Sequence, residues 1–547
     1  MPPTPDRSRS HFKGTPAAPG LAIGPLLVLE DEAVANRASA PPAGLNPEAE
    51  AGRLRAAMSE AVAELAVLLA ELDAETAGII EFQIAMLEDD ALIDPALETL
   101  ADGNDAAGAW RSALDTQIAD YEAADDEYFR ARASDLSDLK DRVLRHLSGR
   151  ALPAQDLAGK VLTGRDLTPS RFLETDWTRG GGLALRQGSP SSHVAMLARA
   201  RGVPMVVGLG DAEIPDGGEA LLDGESGLLI VDPSSAERAA FADRQAAARR
   251  VQAEEAAFRG KPAVTRDGTP VAVMINVADP AELDALDPND CDGIGLVRSE
   301  FLFHGGEGLP DEEKQYRAYR RMLEWADGRP VVIRTLDAGG DKPIAGLTMA
   351  EESNPFLGVR GLRLSLAHPE AFRVQLRALA RAAPHGNLKI MLPMVTHPEE
   401  LHEARRLFDQ ALSELQDEGK ACAAPPLGMM VEVPAAAIAP ELFAAADFFS
   451  IGSNDLTQYV TAAGRDIAAV ASLNDVSHPA VLKLITWLVG SARALGIEVS
   501  LCGDAGGEPS RIPALLGCGL RSLSVAPLAL GRTKAAIADI ALGEAHG

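Results

Sequence analysis

From residue 271 onward, short apolar runs recur with a regular beat, and most carry a polar or chemically able residue at the end. The runs are VAVMIN to Asn276, GIGLVR to Arg298, VVIRT with Arg334, KIMLPM to Met394, LGMMVE to Glu432, FFSIGSND to Asp455, VSLCG with Cys502, and SLSV to Val525. Short continuous apolar runs read as strands buried on both faces, and helical patterns fill most of the gaps. Eight such strands with intervening helices predict a (β/α)8 barrel over residues 261–547, with a two-sided open sheet as the alternative. In a barrel the C-terminal strand ends form one face. Arg298, Arg334, Glu432, Asp455 and Cys502 would then converge, although they lie far apart in the chain.

Those residue types suit one kind of ligand. Guanidinium forks bind phosphate or carboxylate through two parallel hydrogen bonds. Glu432 and Asp455 offer hard oxygen ligands of the sort that hold Mg2+ together with substrate oxygens. The set suits a small phosphorylated acid; the same residues would also serve as plain buried ion pairs. Cys502, in LCGDAGG, is either inert packing or a proton donor at a strand end. No GxxxxGK[ST] loop occurs, so ATP is not an evident phosphoryl source.

The first half has a different texture. Residues 14–30 read as a turn and then a strand. Residues 46–150 are rich in Ala, Leu, Glu and Asp at helical spacing and read as an inserted helical bundle. From about 151, short strands separated by Gly and Pro return, and 234–260 reads as an exposed linker helix. The expected division is an α/β domain from 1–30 and 151–233, a helical subdomain at 31–150, the linker helix at 234–260, and the barrel at 261–547. Within the α/β part, GSPSSHVAMLARARGVPMVVG places His193 at a helix start. Backbone N–H groups there favour an anion, so a phosphoryl group on the ring would sit well; a bystander imidazole at a capped helix start is the plainer alternative.

Bulk properties narrow the partners. Net charge is −29 and aromatic content 4%, which argues against nucleic acid, since that needs a basic footprint and stacking platforms. A basic protein partner would be steered toward such a surface. Four cysteines without a CxxC pair fit a reducing compartment and exclude the common zinc and redox motifs. With no apolar stretch of about 20 residues and no apolar signal core at the N-terminus, neither membrane insertion nor export is expected, and the cytoplasm is.

Taken together, these motifs resemble Enzyme I, the phosphoenolpyruvate–protein phosphotransferase family of the bacterial phosphotransferase system. The resemblance runs from Gly14 to about Arg532. It implies that His193 is the phosphorylated histidine, with Thr168 of DLTPS beside it. GIGLVRSEFLF, VIRTLDAGGDKP and NPFLGVRGLR resemble substrate-binding segments and imply Arg298, Arg334 and Arg360. VEVPAA and FFSIGSNDLTQY imply the metal ligands Glu432 and Asp455, with Asn454 also at the substrate. AAGRD implies Arg465 at the substrate, and LCGDAGG implies Cys502 as proton donor. The family further implies phosphoenolpyruvate as substrate, Mg2+ as cofactor, the carrier protein HPr docking on the helical subdomain, and a homodimer through the barrel.

The chain departs from the family's usual Gly-Gly-Arg-Thr-Ser-His at the phosphosite. It also has Asp504 where Glu often follows Cys-Gly, and a short stretch beyond Arg532. A free-standing sugar-type enzyme fits better than a nitrogen-related one. Three other readings stand beside this one. A dikinase-like phosphoenolpyruvate synthase would need an ATP-grasp domain, which fits nowhere before residue 150. A regulatory module would sense phosphorylation with little turnover. A barrel lyase acting on pyruvate would leave His193 without a task.

Overall fold

The computed structural model describes residues 10–29, 46–69, 74–100, 104–122, 127–149, 157–190, 192–210, 213–303, 309–340, 344, 346–348, 352–464, 467 and 470–544. Contacts divide the chain into two compact units, Met1–Ala248 and Arg249–Gly547.

The first unit is built on an eight-stranded sheet of order β1-β8-β7-β3-β4-β5-β6-β2. Its strands are β1 Ser10–Lys13, β2 Thr15–Ala18, β3 Leu21–Val28, β4 Val161–Gly164, β5 Gly182–Leu185, β6 Met205–Val207, β7 Glu219–Asp223 and β8 Leu228–Val231. β3 to β6 run parallel, and β4 and β5 are buried along their whole length, as parallel strands covered on both faces must be. Side chains alternate between two cores. Leu162, Leu183 and Leu185 join one; Val161, Ala184 and Val206 join the other. The sequence pattern predicts one strand before the helices, and the structure has three. β1 and β2 are four-residue edge strands with half-exposed patterns, too short to show a hydrophobic period.

Five helices, α1 Pro47–Leu69, α2 Ala74–Glu88, α3 Asp90–Leu100, α4 Ala106–Glu122 and α5 Glu127–Ser148, follow β3. They share a core that includes Leu54, Leu65, Trp110, Leu114, Leu136 and Leu139. α5 also buries a polar stripe of Asp135, Asp138 and Arg142. That stripe meets α6, Pro169–Glu174. Asp138 accepts from the Ser170 hydroxyl at 2.6 Å and from Gln83 Nε2 at 3.0 Å. Arg142 pairs with Glu64 at 2.7 Å and Glu174 at 3.1 Å. The helices are thus tied to the sheet layer by buried ion pairs and hydrogen bonds, although Arg142 Nε and Nη1 and Gln83 Oε1 have no hydrogen-bond partner. α7, His193–Ala200, packs Val194, Leu197 and Ala198 into the sheet core. α8 is Ser235–Phe258.

The second unit is a closed barrel of eight parallel strands: β9 Ala272–Val277, β10 Ile294–Arg298, β11 Pro330–Arg334, β12 Asn387–Leu392, β13 Leu427–Val431, β14 Phe448–Ile451, β15 Glu498–Leu501 and β16 Ser522–Val525. β16 closes on β9 with Ser522 opposite Ala272 and Val525 opposite Ile275. These are the eight apolar runs of the sequence, which rules out the open sheet. One large core fills the space between strands and outer helices. A smaller cluster of Leu296, Val332, Met391, Met430, Phe448 and Cys502 contains a residue from six of the strands or their ends, as side chains pointing into a barrel do. Among the described residues, no helix is long and apolar enough to cross a membrane.

Candidate active site at the barrel rim and the His193 helix

The strand ends bring the predicted side chains to one rim. Arg298 and Arg334 are the last residues of β10 and β11. Glu432 directly follows β13, and Cys502 directly follows β15. Asp455 lies not on a strand end but in the first turn of the helix Ser453–Thr461, just after β14. Arg360 comes from the loop before the helix Leu362–Ala367.

Charge at the rim is dense and buried. Arg334 pairs with Glu300 at 3.1 Å and Asp337 at 2.8 Å. Arg360 lies between Asp337 at 3.1 Å and Asp455 at 3.3 Å, and reaches the Tyr459 hydroxyl at 3.4 Å. The ion-pair alternative raised by the sequence is therefore realised for these two arginines, yet it does not use them up. Arg334 Nε, Arg360 Nε, Glu300 Oε2, Glu432 Oε2 and Ser453 Oγ are all buried without a hydrogen-bond partner. Buried polar atoms are seldom orphaned, and several at one rim signal a site shaped for a polar ligand. Arg298 is half-buried, and among the described residues its guanidinium has no hydrogen-bond or ion-pair partner.

Glu432 is held by one oxygen. Its Oε1 accepts from the backbone N–H of Met394 at 2.7 Å. Met394 sits in the left-handed region at φ 57°, an uncommon conformation for a side-chain-bearing residue and one that functional sites retain. Burial, then the charges of Asp337 and Asp455, push the Glu432 carboxyl up to about 8. A divalent cation is the natural counter-charge for such a cluster. The residues fit one: Glu432 Oε2 is unpartnered, and Asp455 is a second hard oxygen donor beside it. Among the described residues, no group of three or more His, Cys, Asp or Glu side chains is placed to hold a metal ion.

Cys502 is buried, and its thiol accordingly stays protonated up to about 11. Arg334, Glu432 and Arg298 are the charges that act on it. Asn454 is engaged by Asp504, donating to it at 2.8 Å and accepting from its N–H at 3.2 Å. Arg465 lies outside the described residues.

His193 opens α7. Ser192 caps the helix, its hydroxyl accepting from Ala195 N at 3.3 Å. The ring Nδ1 lies 3.1 Å from Asp135 Oδ1, and that carboxylate is fully buried. Thr168 occupies the N-cap position of α6 with no side-chain cap bond, and no Thr168–His193 hydrogen bond occurs among the described residues. Asp135, Glu300, Asp337 and Tyr459 were not legible as site residues. Glu300 and Asp337 do stand two and three residues from the named arginines, and that adjacency was the available signal.

Comparison with known proteins places this chain in a class. Three family descriptions match in order along the chain: "PEP-utilising enzyme, N-terminal" over 13–132, "PEP-utilising enzyme, mobile domain" over 157–227, and "PEP-utilising enzyme, PEP-binding domain" over 252–542. By these matches the chain is a phosphoenolpyruvate-utilising enzyme, of a group that generally works with a divalent metal. The chain is 37% identical to the phosphoenolpyruvate-protein phosphotransferase of Bacillus sp. (strain S), covering 97% of this chain and 93% of that one. It is also 37% identical to that of Geobacillus stearothermophilus over the same shares. A solved solution structure of Enzyme I (nEIt) is 25% identical, covering 44% of this chain and 99% of that one, with a TM-score of 0.35. The chain belongs to the phosphoenolpyruvate-protein phosphotransferase family.

Proposed function

We propose that this enzyme moves the phosphoryl group of phosphoenolpyruvate first to His193 and then to a histidine of the carrier HPr, releasing pyruvate, as the opening step of the sugar phosphotransferase system. The observation that carries the reading is the set of orphaned buried atoms at the rim, Arg334 Nε, Arg360 Nε and Glu432 Oε2, beside the unpaired guanidinium of Arg298. Cationic donors and an open carboxylate oxygen match a phosphorylated acid with a divalent cation.

Each residue then has a task. Arg298, Arg334, Arg360, Asn454 and Arg465 bind and orient the phosphate and carboxylate. Glu432 and Asp455 hold Mg2+, which when bound neutralises charge on the phosphate and on the enolate oxygen. His193 attacks phosphorus in line, and Thr168 stands near the phosphorylated ring. Little covalent work is left to the protein beyond positioning and charge stabilisation. The leaving enolate is protonated at its methylene carbon by Cys502, whose burial keeps the proton on sulfur at neutral pH.

The proposed domains follow the same logic: an α/β domain from 1–30 and 151–233 carries the histidine, 31–150 receives HPr, 234–260 links, and 261–547 binds substrate. The barrel also exposes Ile438, Leu442 and Trp487 together, with the Trp487 indole donating to the Ile438 carbonyl at 2.9 Å. Such an apolar patch supports a homodimer through the barrel. Four free cysteines favour a cytoplasmic setting. The function is tested by incubating the protein with 32P-labelled phosphoenolpyruvate, with and without HPr. Label that stays in phosphoenolpyruvate, or never reaches HPr, defeats it.

A further inference from the structure

His193 belongs to the α/β fold, but the carboxylate facing its ring does not. Asp135 lies on α5 of the helical insertion, 58 residues earlier in the chain, with Oδ1 3.1 Å from His193 Nδ1. Its side chain is fully buried, and that of His193 is 16% exposed. A neutral imidazole has one N–H and one lone pair. A carboxylate accepts only, so the hydrogen lies on Nδ1 and the lone pair on Nε2. A hydrogen bond to one ring nitrogen decides which atom of the other does chemistry, and a buried carboxylate that orients an imidazole also stabilises the cation formed during reaction.

We propose that Asp135 is a positioning residue that fixes the tautomer of His193 and leaves Nε2 as the nitrogen that takes the phosphoryl group. This rests on the reading of His193 as the acceptor. In the transfer, the Nε2 lone pair forms the N–P bond, and the bond from phosphorus to the enol oxygen breaks with its electron pair going to that oxygen. Nδ1 keeps its hydrogen throughout. The ring becomes cationic, and the Asp135 carboxylate faces that charge in a water-poor setting, where it counts for more than in solvent.

Asp138, one turn along from Asp135, binds both the hydroxyl and the N–H of Ser170 at 2.6 and 3.3 Å. Arg142, a further turn along, binds Glu174. Those two residues fasten α5 to α6. Asp135 sits at the end of the same stripe and meets the reactive ring. The readiness of the acceptor therefore depends on a residue outside the fold that carries it.

The test uses the full chain with 15N-labelled histidine, comparing wild type with Asp135→Asn and Asp135→Glu, and assigning the His193 signals with His193→Gln. Wild type is expected to show Nδ1 protonated and Nε2 unprotonated. Asp135→Asn, whose amide can donate to Nδ1, is expected to shift the ring toward the other tautomer. Its kcat for phosphorylation by phosphoenolpyruvate should fall on the order of 10- to 100-fold, the usual range for a lost orienting partner. KM for phosphoenolpyruvate should not change, and Asp135→Glu should recover part of the loss. Thermal unfolding shows whether each variant is folded; an unfolded Asp135→Asn passes the decision to the Asp135→Glu tautomer and kcat. A folded Asp135→Asn with wild-type tautomer and kcat overturns the proposal while His193 still takes up label. Label that persists in His193→Gln overturns the acceptor reading instead.

Discussion

Gly452 lies so close to Glu432 that a Cβ built at position 452 would stand 2.8 Å from Glu432 Oε2. The backbone there is ordinary, with φ −83°, so glycine is required by the neighbouring side chains, Glu432 and also Met430, whose Sδ would stand 2.9 Å from that Cβ, and not by the turn. Gly452→Ala should leave the fold intact and displace the oxygen assigned to the metal. The cation concentration for half-maximal phosphorylation of His193 should rise about 10-fold or more, as when a metal ligand loses its orientation. A titration of the first half-reaction with Mg2+ checks this; an unchanged midpoint removes Glu432 Oε2 from the metal.

Arg298 and Arg334 should fail in different ways. Arg334 is buried between Glu300 and Asp337, so Arg334→Ala strands the buried Glu300 carboxylate, while Asp337 keeps Arg360, and should cost about 3–5 kcal/mol of stability. Arg298 has no such partner, so Arg298→Ala should leave the melting temperature nearly unchanged while raising KM for phosphoenolpyruvate at least about 10-fold, the loss of a charged hydrogen bond of about 1.5–3 kcal/mol. Calorimetry and steady-state kinetics on both variants separate the two effects.

Cys502 should matter for one half-reaction only. Cys502→Ser should slow pyruvate formation far more than phosphoryl exchange between His193 and phospho-HPr. Because the thiol holds its proton up to about 11, pyruvate formation should show no loss assignable to Cys502 between about pH 7 and 9. Equal slowing of both reactions by the substitution removes Cys502 from the acid role.

Glu432 gives the metal-free enzyme a particular pH signature. Its folded value, about 8, lies above the ordinary 4.5, so between those values the folded state holds a proton that the unfolded state releases. Stability therefore falls as pH rises through that window. Thermal unfolding in a chelator from pH 5 to 8 should show the decline, and Glu432→Gln should remove that component. Mg2+ should bind more tightly as pH rises through 8, because the proton must leave first.

The exposed group of Ile438, Leu442 and Trp487 predicts a dimer that Leu442→Asp weakens. Sedimentation should show a concentration-dependent dimer for the wild type and a monomer for the variant at the same concentration.

The barrel was legible strand by strand, because each strand is buried on both faces and leaves an unbroken apolar run, as in GIGLVR or VVIR. The edge strands β1 and β2 were not, since four residues with a half-exposed pattern carry no period. Arg298, Arg334 and Glu432 were legible because charges at strand ends stand out against apolar runs, whereas Arg360, on a loop, came only from the family resemblance. Asp455 was placed one element too early; the helix that carries it begins only two residues after β14, with no loop to mark the change. Asp135 was invisible for a physical reason: on an amphipathic helix an acidic residue reads as the solvent face, and only the packing of α5 against α6 and α7 shows that it is buried.

The central claim is most directly tested by incubating wild type and His193→Ala with 32P-phosphoenolpyruvate and Mg2+, then mapping the label by peptide. The account predicts label on His193 in the wild type and none in His193→Ala. Equal labelling of the two proteins would contradict it.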